Sequence, residues 1–415
     1  MDAGEFRKKA DESRDEDPMK AAELYEQAAA LGDSASCSSL GYMLMTGEGI
    51  PKNEEKAVAM LSKASEMGDP KAMCNLGNLV LEKDPSHALE LFEKAGRMGN
   101  ITGMRNAAVM YRTGAGIPLD AQKAVEWLSL ASETDVASMA TLAHILRTGE
   151  GVPSDKPRAA DLYRRAAEAG DPDSQYDLAM MLDSGDGIPM NRAEAERWFR
   201  ESALGGDNDA RLCLGGILYE RGDYVGAEEM FTEAALDRDV KAMYNLALIY
   251  MGGELGERDM VKAEEWLESA SDAGFAYAQT MLGTMALERN DMGKAEDLFR
   301  KAAAQNEPTA MYNLGALALS GKLKMDDKEA MDLLVKAAGS GMPEAQELIR
   351  RLTSTGRSPV EQLLQRGQTV RAIQRTGDTV PTIHYGAIHT ERGGRHGIVG
   401  AVPHVQCPLL RNVEV

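Results

Sequence analysis

The chain has 415 residues, 43% of them hydrophobic, and a formal net charge of −20 at pH 7. Such acidity argues against a general binder of nucleic acid or of a membrane surface, which needs basic patches, and suits neutral or basic partners. No segment reaches the roughly 18 apolar residues of a membrane span, and no apolar run follows the opening MDAGEFRKKADESRDED, so neither a span nor a signal peptide is expected.

Residues 1–16 read as a charged N-terminal extension, either a degenerate first helix or a mobile end. A helix is predicted from Asp17-Pro18, where proline suits the first turn. Its sequence places Ala21, Leu24, Tyr25 and Ala28 at offsets 0, +3, +4 and +7, the apolar stripe of an amphipathic helix. The stripe recurs from Ala57, Ala88, Ala124, Ala159, Ala195, Ala227, Ala263, Ala295 and Ala330. Bulky pairs such as Trp127-Leu128, Trp198-Phe199 and Trp266-Leu267 fill +3 and +4. All three tryptophans thus share one position, which predicts core placement.

The helix before each of these follows a second template. A small residue opens it, as at Ser36, Ala72, Gly103, Ala242 and Ala310. Four residues on stands leucine (Ala107 excepted), and then glycine or alanine, as at Gly41, Gly77, Gly283 and Gly315. Glycine inside a helix costs about 1 kcal/mol relative to alanine, so its recurrence predicts close helix–helix approach. The abundant methionines, 25 in all, fall largely on core positions of these helices and read as gap-fillers.

Each second-helix stripe leads to the next first helix in 15 residues, once in 14, which leaves room only for a short turn often marked Gly-Asp. Inside a hairpin the gap takes two sizes. Long gaps carry TGEGIP (46–51) or relatives at 113–118, 148–153 and 184–189; short ones read EKDPSHA, ERGDYVGA or ERNDMGKA. A period of about 35 residues with insertions on one edge is the signature of stacked hairpins. The predicted fold is an all-α, right-handed α-solenoid of about ten helical hairpins over residues 17–356.

The succession A-x-Y-N-L-G, G-x-G-[IV]-P and K-A-x-x-W-[LFY]-x-x-A-A resembles the Sel-one-like repeat, a relative of the tetratricopeptide repeat. The short-gap units, such as ERGDYVGAEEMF (220–231), look closer to the tetratricopeptide version. The resemblance spans roughly residues 17–350 and implies a protein-interaction adaptor that is not an enzyme and carries no cofactor. Some secreted, cysteine-rich members have been linked to β-lactam binding, but their paired cysteines are absent here. Cys37, Cys74, Cys213 and Cys407 show no paired spacing and read as free thiols of a cytoplasmic protein.

Beyond Gly356 the composition changes: lysine is absent, and four of the six histidines appear. RSPVEQLLQRGQTVRAIQ suits one more amphipathic helix, and TVPTIHYGAIHTE and HGIVGAVPHV suit short strands. Residues 357–415 are expected to be an appended tail. Its His384, His389, His396, His404 and Cys407 are the one cluster with metal-ligand chemistry, but no second closely spaced pair completes a tetrahedral set, so no metal is expected. An enzyme or metal protein acting through this tail is the alternative reading. No GxxxxGK[ST], GxSxG or HExxH occurs, and DSGDGIPMNRAE (183–194) has glycine where a Ca²⁺ loop needs an acid.

A partner site is predicted from helical geometry. Offsets −1, +2, +6 and +9 from the small opening residue fall opposite the leucine stripe. By analogy with tetratricopeptide arrays, that face lines a concave groove. It carries Arg105, Arg112, His144 and Arg147 in the third and fourth such helices, then Tyr176, Tyr219, Tyr244, Tyr277 and Tyr312. Guanidinium groups in that setting suit bidentate bonds to a carboxylate or phosphate, so an acidic peptide segment or chain terminus is the expected ligand. The competing reading pairs the arginines with nearby acids and packs the tyrosines as core.

Overall fold

The computed structural model describes residues 1–353, and within them every regular element is a helix. The chain divides into two compact units after Ser202. The first unit holds the hairpins α1–α2 (Ala3–Ser13, Pro18–Ala30), α3–α4 (Ser34–Thr46, Glu54–Glu66), α5–α6 (Pro70–Val80, Pro85–Arg97) and α7–α8 (Ile101–Thr113, Ala121–Ala131). It continues with α9–α10 (Val136–Thr148, Lys156–Glu168) and α11–α12 (Pro172–Ser184, Arg192–Leu204), the last of these helices running past the division. In the second unit are α13–α14 (Asn208–Arg221, Tyr224–Leu236), α15–α16 (Val240–Gly252, Met260–Asp272), α17–α18 (Ala276–Glu288, Met292–Ala304), α19–α20 (Pro308–Leu319, Asp327–Gly339) and a single helix, α21 (Pro343–Thr353). Inside each unit helices pack on their chain neighbours both within and between hairpins, which is the expected solenoid stacking. The tail, with His384, His389, His396, His404 and Cys407, lies outside the described residues.

Local chemistry explains where the helices start and stop. Asp or Asn caps most of them, as when Asp33 Oδ2 accepts the Ser36 N–H at 2.9 Å and Asp207 Oδ1 the Ala210 N–H at 2.9 Å. Between hairpins the second helix closes with paired carbonyl bonds: the Asp33 N–H reaches Ala28 O and the Gly32 N–H reaches Ala29 O, with Gly32 at φ +89°. Arg238, Asn290 and Asn306 are the non-glycine residues that adopt positive φ among the described ones, all at helix ends. The first helix, α1, opens on a reciprocal cap between Asp2 and Glu5, and buries Ala10 completely.

The glycine of the first-helix template behaves as its recurrence predicts. A Cβ at Gly77, Gly215 or Gly283 would stand 2.6–2.7 Å from the ring of Phe92, Phe231 or Phe299, the +4 residue of the same hairpin's second helix. All three phenylalanines are fully or almost fully buried. Of the tryptophans, Trp198 is buried, while Trp127 and Trp266 are half-buried. Trp127 packs where a Cβ of Gly96, on the preceding hairpin, would come within 2.8 Å.

Candidate functional site

Helices α7 and α9 position the four basic residues singled out from the sequence. On α7 the stripe Ala107, Met110 and Tyr111 is buried, leaving Arg105, Val109 and Arg112 towards solvent. Arg105 is exposed, and its Nε stands 3.9 Å from Asp135, an acid already accepting from the N–H and hydroxyl of Ser138. Arg112 approaches Glu150 at 3.7 Å. His144 is half-buried on α9.

Arg147 is different. Its side chain is 21% exposed, with Nη1 3.2 Å from Asp177 Oδ1 and Nε 3.2 Å from Asp186 Oδ2. Lys156 Nζ donates to the other Asp186 oxygen at 2.6 Å. Burial alone would lower the guanidinium pKa, but Asp177 and Asp186 raise it. Burial likewise pushes the Asp186 carboxyl up, yet hydrogen bonds from Lys156 and Arg147 hold it below the usual value. Burial, reinforced by Asp177, keeps the adjacent Tyr163 phenol protonated far above the ordinary range. The competing reading, arginine paired with nearby acid, therefore describes Arg147.

These pairs follow a rule. The acids Glu48, Glu150 and Asp186 sit between the two glycines of the long hairpin loops, and each meets an arginine of the preceding hairpin: Arg14, Arg112 and Arg147. Both loop glycines have positive φ, as with Gly185 at +70° and Gly187 at +77°. The second one also lies against the opening of the preceding hairpin's second helix. A Cβ on Gly49 would meet Pro18 at 2.2 Å, one on Gly116 would meet Pro85 at 2.3 Å, and one on Gly187 would meet Lys156 at 2.2 Å. The loop is thus a clasp onto the previous repeat as well as a turn. In the second unit Tyr219 takes the arginine's position, and its hydroxyl donates to Glu254 at 2.8 Å. The sequence carried a signal for this that periodicity alone did not isolate: Arg14 and Glu48 are 34 residues apart, Arg147 and Asp186 39. Where the loop has Ala115 in place of the acid, Leu81 stands in place of the arginine.

The expected tyrosine-lined wall needs correction. Tyr176 and Tyr219 are buried, and Tyr244 and Tyr312 are each 1% exposed. Packing within and between hairpins accounts for them: the Tyr176 ring meets Phe199 of its own hairpin edge-on at 5.9 Å, the Tyr244 ring meets Phe275 of the next at 5.6 Å, and burial raises the Tyr312 phenol pKa. Tyr277, 42% exposed, is the one of the five that offers its ring to solvent. With Phe275, at 5.4 Å between ring centroids, it forms an aromatic patch over Tyr244.

Among the described residues no group of three or more His, Cys, Asp or Glu side chains is arranged to hold a metal ion, and no helix is long and apolar enough to cross a membrane. Cys37 and Cys74 are buried thiols, the latter pushed up to about 11 by burial and then by Asp69.

The Sel1 repeat family profile matches residues 12–33, 34–69, 70–100, 101–133, 136–171, 172–207, 240–275, 276–307 and 308–342. The interval 208–239, between two matched repeats, contains α13–α14, the hairpin carrying ERGDYVGAEEMF. Among solved structures, the protective antigen c5321 of uropathogenic Escherichia coli, which displays an SLR fold, is similar at 29% identity with a TM-score of 0.71, over 86% of this chain and 80% of that one. A Sel1 repeat protein of Oxalobacter formigenes is similar at 26% identity and a TM-score of 0.40, over 64% of this chain and 96% of its own.

Proposed function

The chain belongs to the Sel1 repeat family, and on that premise we propose that it is a non-catalytic scaffold holding a protein or peptide partner against the outward face of its first helices. The observation that carries the reading is the division of labour on α7 and α9. Their inward stripes are spent on stacking, and Arg147 is held in the clasp by two acids at 3.2 Å, whereas Arg112 meets its loop acid only at 3.7 Å, Arg105 is exposed with Asp135 at 3.9 Å, and His144 is half-buried, in a chain whose net charge is −20. Guanidinium groups held this loosely by the fold's own acids suit an acidic segment or chain terminus, which arginine binds with two parallel hydrogen bonds. In the second unit the patch of Phe275 and Tyr277 suits an apolar or aromatic side chain of the same class of partner. A reducing, cytoplasmic setting is supported by the buried thiols of Cys37 and Cys74.

The test uses one hairpin and its two faces. Val109 on α7 is 49% exposed and Leu130 on α8 is 52% exposed, so a photo-crosslinking residue is tolerated at either place. Partners should be captured at Val109 and not at Leu130, and Arg105→Glu should cut that capture at least about tenfold, equivalent to 1.4 kcal/mol. Equal capture at the two positions would refute the first-helix face.

A further inference from the structure

In the first unit the face formed by α3, α5 and α7 opens into a cavity of about 430 Å³, within the usual range for ligand sites. Two cations line it, Arg14 and Lys71, together with the hydroxyls of Ser38 and Thr102 and the amide of Asn75. No carboxylate lines it, although the chain has 66 acids against 46 lysines and arginines. The neighbouring acids are already engaged. Glu48 accepts two hydrogen bonds from Arg14, at 3.2 and 3.0 Å, and Asp69 accepts the N–H groups of Lys71 and Ala72 at 2.8 and 3.2 Å. Lys71 forms no ion pair among the described residues, and the side chains of Ser38, Asn75 and Thr102 form no hydrogen bond among them. Apart from Arg14, the wall thus presents polar groups that no described residue engages. Glu48 holds the Arg14 guanidinium in place, 5.9 Å from the Tyr42 ring, so the cation is oriented in advance.

We propose that this pocket binds the C-terminal carboxylate of a partner peptide. With Arg14 balanced by Glu48, one positive charge remains, on Lys71. That matches a carboxylate monoanion better than a phosphate, which carries about −1.5 to −2. A chain end also offers a backbone N–H and C=O beside its carboxylate, and Asn75 can both donate and accept. The inference deepens the first-helix reading above and rests on it, since Ser38 occupies the +2 offset of Arg105, and Lys71 and Thr102 the −1 offset of the same template face.

The probes are two synthetic pools of randomised pentapeptides, one with free C-termini and one amidated, passed over the immobilised full chain. Retained peptides are quantified by mass spectrometry. The free-acid pool should be retained at least about tenfold better, a preference worth 1.4 kcal/mol. Lys71→Gln should abolish that preference, and Lys241→Gln, at the same template position in the second unit, should leave it intact. Lys71 is exposed, so the variant should melt with the parent, and matched melting curves show that the fold is unchanged. Equal retention of both pools, or a preference that survives Lys71→Gln, would overturn the pocket. Displacement of the peptides by succinate at matching concentration would assign the site to a small diacid and overturn the peptide end. A partner that crosslinks at Val109 yet binds equally well when its C-terminus is amidated would keep the first-helix face and overturn the pocket alone.

Discussion

Arg147→Ala separates a structural arginine from a ligand-binding one. The substitution removes two charge-assisted contacts, to Asp177 and Asp186, both at 3.2 Å. Hydrogen bonds to charged groups contribute about 1.5–3 kcal/mol each. Both contacts are longer than the usual charge-assisted bond, the carboxylates are 28% and 26% exposed, and Lys156 stays on Asp186, so the sum must be discounted. A net loss of about 2 kcal/mol remains. In a repeat stack that loss is local, so hydrogen exchange is the right assay: amides of α9 and α11 should lose protection by about 30-fold, and those of α3 should not change. Arg147→Lys keeps the charge without the planar fork and should recover less than half of the loss. The pH dependence has a definite sign. Asp186 is depressed in the folded state, so its contribution is complete above the unfolded value of about 3.9 and disappears as pH falls through the lower folded value. The difference between parent and variant should therefore be level from about pH 5 to 8 and shrink below about pH 4. Unchanged exchange in α9 and α11 together with lost partner capture would refute the clasp and return Arg147 to the ligand site.

Gly283→Ala gains about 1 kcal/mol of helix propensity but forces a Cβ to 2.7 Å from Phe299, an overpacking cost of about 1–3 kcal/mol; denaturant melts should show a net loss of about 1 kcal/mol. Gly315→Ala should cost more, because its Cβ meets the Ala330 backbone carbonyl at 2.8 Å and no side-chain rotation relieves it. Leu246 is fully buried, so Leu246→Asp should cost several kcal/mol and, by hydrogen exchange, weaken α13–α14 and α17–α18 as well as its own hairpin; retained protection there would refute the register. Phe275 opens α17 without a side-chain cap bond. Phe275→Asp supplies a cap of about 1 kcal/mol but loses ring contacts to Tyr244 and Tyr277 of about 0.5–1.5 kcal/mol each, plus buried area, so circular-dichroism melts should fall.

The net charge shows how a correct observation can point past its cause. Asp17, Asp33, Asp69, Asp84 and Asp120, and their counterparts onward to Asp326, cap helices. Part of the acidity therefore serves to start helices, and that part says nothing about the partner. The informative charges are those the fold engages least, Arg105 on α7, whose acid stands 3.9 Å away, and Lys71 on α5.

What the sequence determined by itself is everything that repeats at short range. Apolar offsets of 3 and 4, a glycine or alanine after the leucine and a fixed turn length are local, and each recurs often enough to average out its exceptions. They yield the hairpins, their order, the family and the close approach at Gly77 or Gly283. Tertiary structure alone decided which outward side chains remain available. Arg105 and Arg147 occupy equally outward template positions, yet only Arg147 has two acids within 3.2 Å, supplied by α11 and by the loop after it. Tyr244 and Tyr277 were equal candidates as well, and neighbouring helices cover the first and not the second. Helical periodicity assigns a direction from the helix axis. What waits in that direction belongs to another repeat about 35 residues away, and charge pairing and burial are settled only when the two meet in space.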